Sequence, residues 1–485
     1  MSLQVPPVAS TNPLRKMASD VRAERSAHVA LPPGDTSYSL ARGRRFMQSP
    51  LDELLSAYRR YGPIFTLRLL HAPVVYMIGP EANHYVTVSH AQNFRWREGS
   101  MRDLIPLLGD GLLTTDGEVH RRARRLMLPA FHRESIAASL DTMVEETDLA
   151  LEGWRPGREV DLYDWTRHLA LRIAMRALFG FDRDAARHGG DPALQFDEAL
   201  SYYSHGFVTQ QFRGPGSPWG RMLARRRSLD ALIYGEIARR RRNDHEAGRD
   251  VLSLLVESRG EDGDALSDEQ VRDQVMTLLF AGHDTTTSTI SFLFHQLARH
   301  PAALARLLEE QDRDLGGRAP SAVELVGGLP ELEMAIDETL RLYPAAWVGP
   351  RRAVADFEFA GHTVPAGAHV AYCSWASHHL PEVFPDPEAF RPERFSPESR
   401  AKLPKGAYVP FGGGSRICLG MRFGQLEIKT IATMILQRFR LELVPAHVLR
   451  IRQAPTLSPS GGLPMTVRER SSGAPQTSSF SRPLR

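Results

Sequence analysis

Apolar residues recur along the chain at two different spacings. Near the start, "PIFTLRLL" and "PVVYMIG" are short β-rich runs separated by His71 and Ala72, which predicts a hairpin. Around residues 350–372, "AVADFEFAGHTVPAGAHVAY" predicts further strands broken by Gly and Pro turns. Elsewhere the period is helical, as in Arg133–Glu152, Tyr163–Leu178, Met222–Asn243 and Ala302–Asp312. The clearest helix opens at "SDEQ", where Ser267 and Gln270 have capping-box spacing. It continues through "VMTLLFAG" and "TISFLFHQLA" until Pro301 forbids more. From Ser267 to Arg299 such a helix spans about 50 Å. It crosses the whole domain and, apolar nearly all round, is expected to be buried. The expected class is mainly α with a small β region. Its strands come from distant parts of the chain, which argues for one intertwined domain.

Length and composition narrow this further. The chain has 485 residues, enough for roughly three domains as a soft prior, but no long Gly/Ser- or Pro-rich linker divides it and no internal repeat is visible. The expected division is a flexible segment over 1–30, one catalytic domain over 31–469 and a disordered tail, "SSGAPQTSSFSRPLR", within 470–485. No apolar run near the start is long enough for a signal peptide or membrane span, so a cytoplasmic protein is expected. A net charge of +3 gives nucleic acid no evident foothold. Two cysteines cannot build a disulfide framework, which fits a reducing compartment.

One of those cysteines carries the candidate chemistry. In "PFGGGSRICLG" the fixed points are Phe411, Gly414, Arg416, Cys418 and Gly420. By ordinary residue usage such a pattern arises on the order of 10⁻⁷ per start, or about 10⁻⁴ over the chain. The segment that follows has Phe423, Leu426, Ile431, Ile435 and Phe439 at helical spacing. Cys418 therefore precedes a helix N-terminus, where amide donors and the dipole favour a thiolate. Glycines let the backbone turn tightly around the sulfur. Arg416 is placed to meet a carboxylate on the same ligand. A lone cysteine is more often a buried, inert residue. Cys373 in "AYCSWAS" keeps that reading, whereas the five-point frame reverses it for Cys418.

The frame resembles the haem-binding loop of the cytochrome P450 family, the haem-thiolate monooxygenases. The resemblance covers about Leu31 to Glu469. It implies a single triangular domain with the long helix over haem b (iron protoporphyrin IX). Cys418 takes the iron-ligand position, and Phe411, Gly412, Arg416 and Gly420 belong to the loop around it. In that family an anionic sulfur opposite bound oxygen pushes electron density into the O–O bond.

Other segments match in order. "AGHDTT" supplies Ala281 and Gly282 over the haem, with Asp284 and Thr285 as the family's acid–alcohol pair for proton delivery. Thr285 can return its hydroxyl to the carbonyl of Ala281, bending the helix. His283 falls at a variable position and is not read as a metal ligand. "ETLRLYP" and "FRPERF" give Glu338, Arg341 and Arg394, similar to the family's buried Glu–Arg–Arg network, a structural role. In "HRRARR", His120 and Arg124 share a helical face and match a haem-propionate pair. Arg351 matches another propionate partner, although Arg352 beside it leaves that assignment open by one position.

Expected partners follow from the same reading. Pocket candidates are residues 101–113, 201–212, Phe280, 345–349 and 459–465, apolar as a set, so the substrate is expected to be a hydrophobic small molecule such as a fatty acid, terpenoid, steroid or polyketide. No Cys cluster or spare length provides a fused redox module, so electrons for O2 are expected from a ferredoxin and ferredoxin reductase or their equivalent. Arg121, Arg122, Arg125 and Arg422 are candidates for the docking face. Two rivals remain at this point: a haem-thiolate peroxygenase or isomerase needing no electron partner, and a non-enzymatic haem-binding sensor.

Overall fold

A computed structural model describes residues 12–470, apart from 26–27, 70–71, 182–191, 206, 211, 243–249, 260–262 and 264. The long helix is its axis. It runs unbroken from Asp268 to Arg299, capped by Ser267, whose hydroxyl accepts from the Gln270 amide while the Gln270 side chain accepts from the Ser267 amide. Helix Leu162–Phe179 lies along it, and the cysteine helix Met421–Arg438 and Pro330–Leu342 pack on it as well. Between Val271 and Leu297 nearly every side chain is buried, as the apolar pattern requires.

The largest sheet among the described residues has six strands. Its order is Gly34–Asp35, Ile64–Leu69, Ala72–Met77, His369–Cys373, Val348–Ala353, Phe94–Arg95. The expected hairpin is present as an antiparallel pair, but Ala72 belongs to the second strand, opposite Leu69. His71 lies outside the described residues. The region 350–372 supplies two strands of this sheet and a small hairpin, Phe357–Phe359 with His362–Val364.

Several boundaries differ from the periodicity. The helix expected over Arg133–Glu152 is two, Arg133–Ala138 and Leu140–Leu151, because the Ser139 amide turns back to Ile136 rather than continuing the ladder. The helix expected from Met222 begins at Pro218, since Ser217 caps it and proline suits the first turn. Its expected end, Asn243, lies outside the described residues. Helix Pro301–Leu315 outlasts the expected Asp312 and stops at Gly316 in a left-handed conformation.

Within the segment expected to be flexible, Pro13–Arg25 is a helix. Its Asp20 is buried against Arg352 (2.9 Å) and His369 (3.1 Å), Lys16 meets Asp103 at 2.6 Å, and Glu24 pairs with Arg68. These partners lie 44 to 349 positions away in the chain, beyond what local patterning can show.

Two features make the fold testable. Glu338 and Arg341 are wholly buried and joined by two bonds of 2.7 and 2.9 Å. Glu338→Gln leaves a buried guanidinium without its counter-charge and is expected to cost about 3–5 kcal/mol in urea unfolding. His379 is buried with its pKa pushed down to about 4, first by desolvation. The unfolded chain would titrate it near about 6.5, so its contribution is present above that pH and lost as pH falls toward 4. The urea midpoint should therefore decline across that window less steeply in His379→Gln than in the parent.

Candidate active site

The cysteine loop is shaped by close approaches of backbone to backbone. Gly412 and Gly414 have φ of 70° and 59°, and a Cβ on Gly414 would come within 2.2 Å of the Thr87 carbonyl. Only glycine satisfies both demands there. The Cys418 amide donates to the Phe411 carbonyl at 3.0 Å, closing the loop, and Gly420 caps helix Met421–Arg438. The loop's start is held from behind: the Val409 amide donates to His378 Nε2 at 3.0 Å, and the His378 carbonyl accepts from Arg341 at 3.0 Å. Arg394 lies 3.4 Å from Glu338, whose Oε1 also accepts the Arg391 amide. The buried ion pair therefore reaches the cysteine loop through one imidazole.

Cys418 keeps accessible surface, yet desolvation raises its thiol pKa in spite of the Gly420 amide and Arg124, which both lower it. The Gly420 amide and Arg124 thus favour the thiolate, as the sequence leads one to expect, while desolvation opposes them. A cation bound at the sulfur would reverse the balance. Cys373, by contrast, is fully buried with its pKa raised to about 12, the ordinary state of a core thiol.

Beside the loop, cations outnumber anions. Arg416 donates to the carbonyls of Leu112 and Thr115 and to Asp116 at 2.7 Å. Arg351 stacks on Trp96 with 3.7 Å between its guanidinium carbon and the ring centroid, and Arg416 lies over the same ring at 5.2 Å. Burial lowers the Arg416 pKa to about 10; Asp116 opposes this, while Arg351, Arg124 and Arg95 add to it. His120 is buried and pushed down to about 3, by desolvation and then by Arg416, Arg124 and Arg121. Arg352 faces the other side of its strand and pairs with Asp20, as a period-two alternation requires.

Within its buried stretch, the long helix leaves only Phe280, Ala281, Gly282 and Thr285 short of full burial. Ala281 and Thr285 share a face, and the Thr285 hydroxyl donates to the Ala281 carbonyl at 2.8 Å. The helix continues through this turn without interruption. The cysteine helix touches the long helix one residue beyond, where Thr286 Oγ1 donates to Glu427 at 3.3 Å.

This geometry has known counterparts. The cytochrome P450 family profile matches residues 40–462. The chain belongs to the cytochrome P450 family. It is similar to cyclooctat-9-en-7-ol 5-monooxygenase of Streptomyces melanosporofaciens, 38% identical over 358 residues, 71% of this chain and 75% of the relative. It also resembles cyclooctatin synthase of the same organism, 33% identical over 418 residues, 84% of this chain and 89% of that one. Among solved structures, a retinoic-acid-bound cyanobacterial CYP120A1 superposes with a TM-score of 0.81 at 29% identity, covering 91% of this chain and all of that one. The protein is a P450 monooxygenase, whose family binds haem and uses O2. No described helix is long and apolar enough to cross a membrane.

The residues present suit such a group. They provide one accessible sulfur, buried guanidiniums with a single carboxylate among them, and an apolar helix face that is not packed shut. Of the expected pocket residues, Leu107, Leu108, Trp347, Leu463 and Met465 are core, whereas Leu104, Leu113, Phe280 and Val348 keep surface. Gly206 and Gln211 lie outside the described residues. The sequence reading missed Trp96, Asp116, His378 and Glu427. Glu427 is buried with its pKa raised to about 8 by desolvation; its only visible signal was a carboxylate in the apolar run "LEIKTIATMIL".

If the cation cluster binds carboxylates of the cofactor, the two adjacent arginines separate cleanly. Arg351→Leu is expected to lower haem retention severalfold on gel filtration against apomyoglobin, and Arg352→Leu to leave it unchanged while loosening helix Pro13–Arg25.

Proposed function

We propose that this P450 inserts one oxygen atom of O2 into a hydrophobic small molecule, with haem b held by Cys418 and electrons delivered by separate proteins. The reading is carried by the Cys418 loop, ringed by excess cationic charge, in a fold whose buried long helix keeps one accessible face beside Asp284. In this reading Cys418 ligates iron, and Phe411, Gly412 and Gly420 shape the loop. Ala281 would border the macrocycle, Arg124, Arg351 and Arg416 would neutralise the propionates, and the neutral His120 would offer one of them a hydrogen bond. When bound, the thiolate-ligated haem supplies activation of O2.

The chain's own residues then manage protons and water. Thr285 Oγ1 rests on the Ala281 carbonyl and is free to rotate its hydroxyl toward the accessible face. Asp284, with its side chain 4% exposed and Arg167 3.5 Å away, passes protons on to the Thr285 hydroxyl. The buried apolar side chains on either side of this turn restrict bulk water, which favours proton delivery along such groups.

Electrons are assigned to a ferredoxin and its reductase or their equivalent. A surface concavity of about 470 Å³ reaches Cys418 and is lined by Arg124, Arg133, Arg422, Leu128 and Met421, among others, which supports docking of an acidic partner at that side. Arg121 is less available than Arg422, because it is paired with Glu118 at 2.6 Å. For the substrate, relatives named for a cyclooctatenol and a neighbour bound to retinoic acid support an apolar, terpenoid-type carbon skeleton.

The test has two arms. In the reduced, carbon-monoxide-treated protein the absorption band of a sulfur-bound haem should be present in the parent and Cys373→Ala and lost in Cys418→Ala. Thr285→Ala should keep that band but divert reducing equivalents to hydrogen peroxide, with product per NAD(P)H falling by roughly tenfold or more. Unchanged coupling would overturn the Thr285 assignment, and turnover from peroxide alone, with none from O2 and a reductase pair, would overturn the monooxygenase reading in favour of a peroxygenase.

A further inference from the structure

We infer that His283 is a proton relay joining Asp197 to Asp284, an inference that rests on the reading of Asp284 as proton donor. His283 is fully buried in the long helix. Its Nδ1 lies 3.7 Å from Asp284 Oδ1, and its Nε2 lies 3.6 Å from Asp197 Oδ1, so one imidazole spans two carboxylates. The Asp197 side chain is 22% exposed and the Asp284 side chain 4%, so the path leads from solvent's reach into the interior. Phe196 meets the imidazole edge-on, with 6.2 Å between ring centroids, and limits its tilt.

Arg167, on helix Leu162–Phe179, runs parallel to this path. It is 2.6 Å from Asp197 and 3.5 Å from Asp284. Both His283 nitrogens, Asp197 Oδ1, Asp284 Oδ1 and Arg167 Nε are buried without a hydrogen bond. Arg167 offsets part of this for the two carboxylates, but the two imidazole nitrogens are left without a bond, which is costly as mere structure. The His283 separations exceed hydrogen-bond contact by only about 0.5 Å. A small approach of helix Pro192–Ser201 toward the long helix would close the link to Asp197, while the link to Asp284, within the long helix itself, needs only a change of side-chain torsion.

The other ionisable groups around the cluster are Tyr163, Asp164 and His168 on helix Leu162–Phe179, and Arg452, which donates to the Tyr163 hydroxyl at 2.8 Å. Asp164 and His168 pair with each other at 3.6 Å. Desolvation holds His283 neutral, its pKa down to about 4, and raises that of Asp197. A neutral imidazole between two carboxyl groups suits proton exchange without net charge movement on the ring. Asp197 gives its proton to Nε2 as the Nδ1 proton passes to the Asp284 carboxylate. The imidazole changes tautomer, rotation of the ring restores it, and Asp197 regains a proton from solvent.

The test uses the holoenzyme. In its reduced, carbon-monoxide-bound state, labelled with ¹⁵N-histidine, the His283 signal is identified by its loss in His283→Gln. Asp197→Asn is expected to shift the tautomer ratio of that signal, and during turnover with a reductase pair to lower product per NAD(P)H by roughly tenfold. An unmoved tautomer ratio together with parental coupling in Asp197→Asn overturns the relay; should His283→Gln fail to fold, a selective shift of one histidine signal in Asp197→Asn, set against the unmoved remainder, still decides. If Asp284→Asn itself couples normally, the assignment of Asp284 as donor falls instead.

Discussion

Crowding guanidiniums around one carboxylate in a half-buried site is the constraint on which this site turns. Arg351 and Arg416 share the face of Trp96, and Arg124 and Arg95 add to the repulsion that Asp116 alone opposes. Desolvation makes such a cluster costly for the chain by itself, and favourable only toward an anionic ligand. The same logic governs the sulfur, where desolvation outweighs the Gly420 amide and Arg124 and a bound cation would reverse the sign. A ligand that is positive at its centre and negative at its rim answers both imbalances at once, and iron protoporphyrin has that charge pattern.

Rigidity comes from a different part of the molecule. The Glu338–Arg341 pair sits in no contact with the candidate chemistry, yet it fixes His378, which fixes Val409, which fixes the turn into Phe411. On the loop's other flank, Gly413 and Gly414 press against Thr87 so closely that no side chain fits. The sulfur's position is therefore set by a buried charge pair behind it and a backbone contact beside it, neither of which touches Cys418.

How much of this the sequence announced depended on whether the constraint was local. The glycine-framed cysteine and the Ser267–Gln270 box were visible because backbone conformation and capping demand particular residues at fixed offsets. Thr285 folding back on Ala281 was visible for the same reason, being a contact within one helical turn. Trp96, Asp116 and His378 were not, because their roles come from partners tens to hundreds of positions away. Which of Arg351 and Arg352 faces Trp96 depends on the phase of one strand, which the surrounding Pro and Gly residues obscured. Helix Pro13–Arg25 was missed because its weakly apolar sequence is secured by ion pairs with Arg352, Asp103 and Arg68.

The long helix also shows why its His–Asp step stands apart from its other polar residues. Thr285, Thr287, Thr289 and Ser291 each donate a hydroxyl to the carbonyl four positions back, at 2.8–2.9 Å. Hydroxyls satisfied in this way are compatible with burial and ask nothing of neighbouring helices. An imidazole and a carboxylate are too long and too polar to be satisfied on their own backbone, and in this helix His283 and Asp284 are not. Their partners must come from Arg167 and Asp197 on two other helices, so this turn depends on tertiary packing that the hydroxyl-bearing turns around it do not need. A helix built to be inert along most of its length is thus sensitive to its neighbours at one turn, the turn adjoining its accessible face.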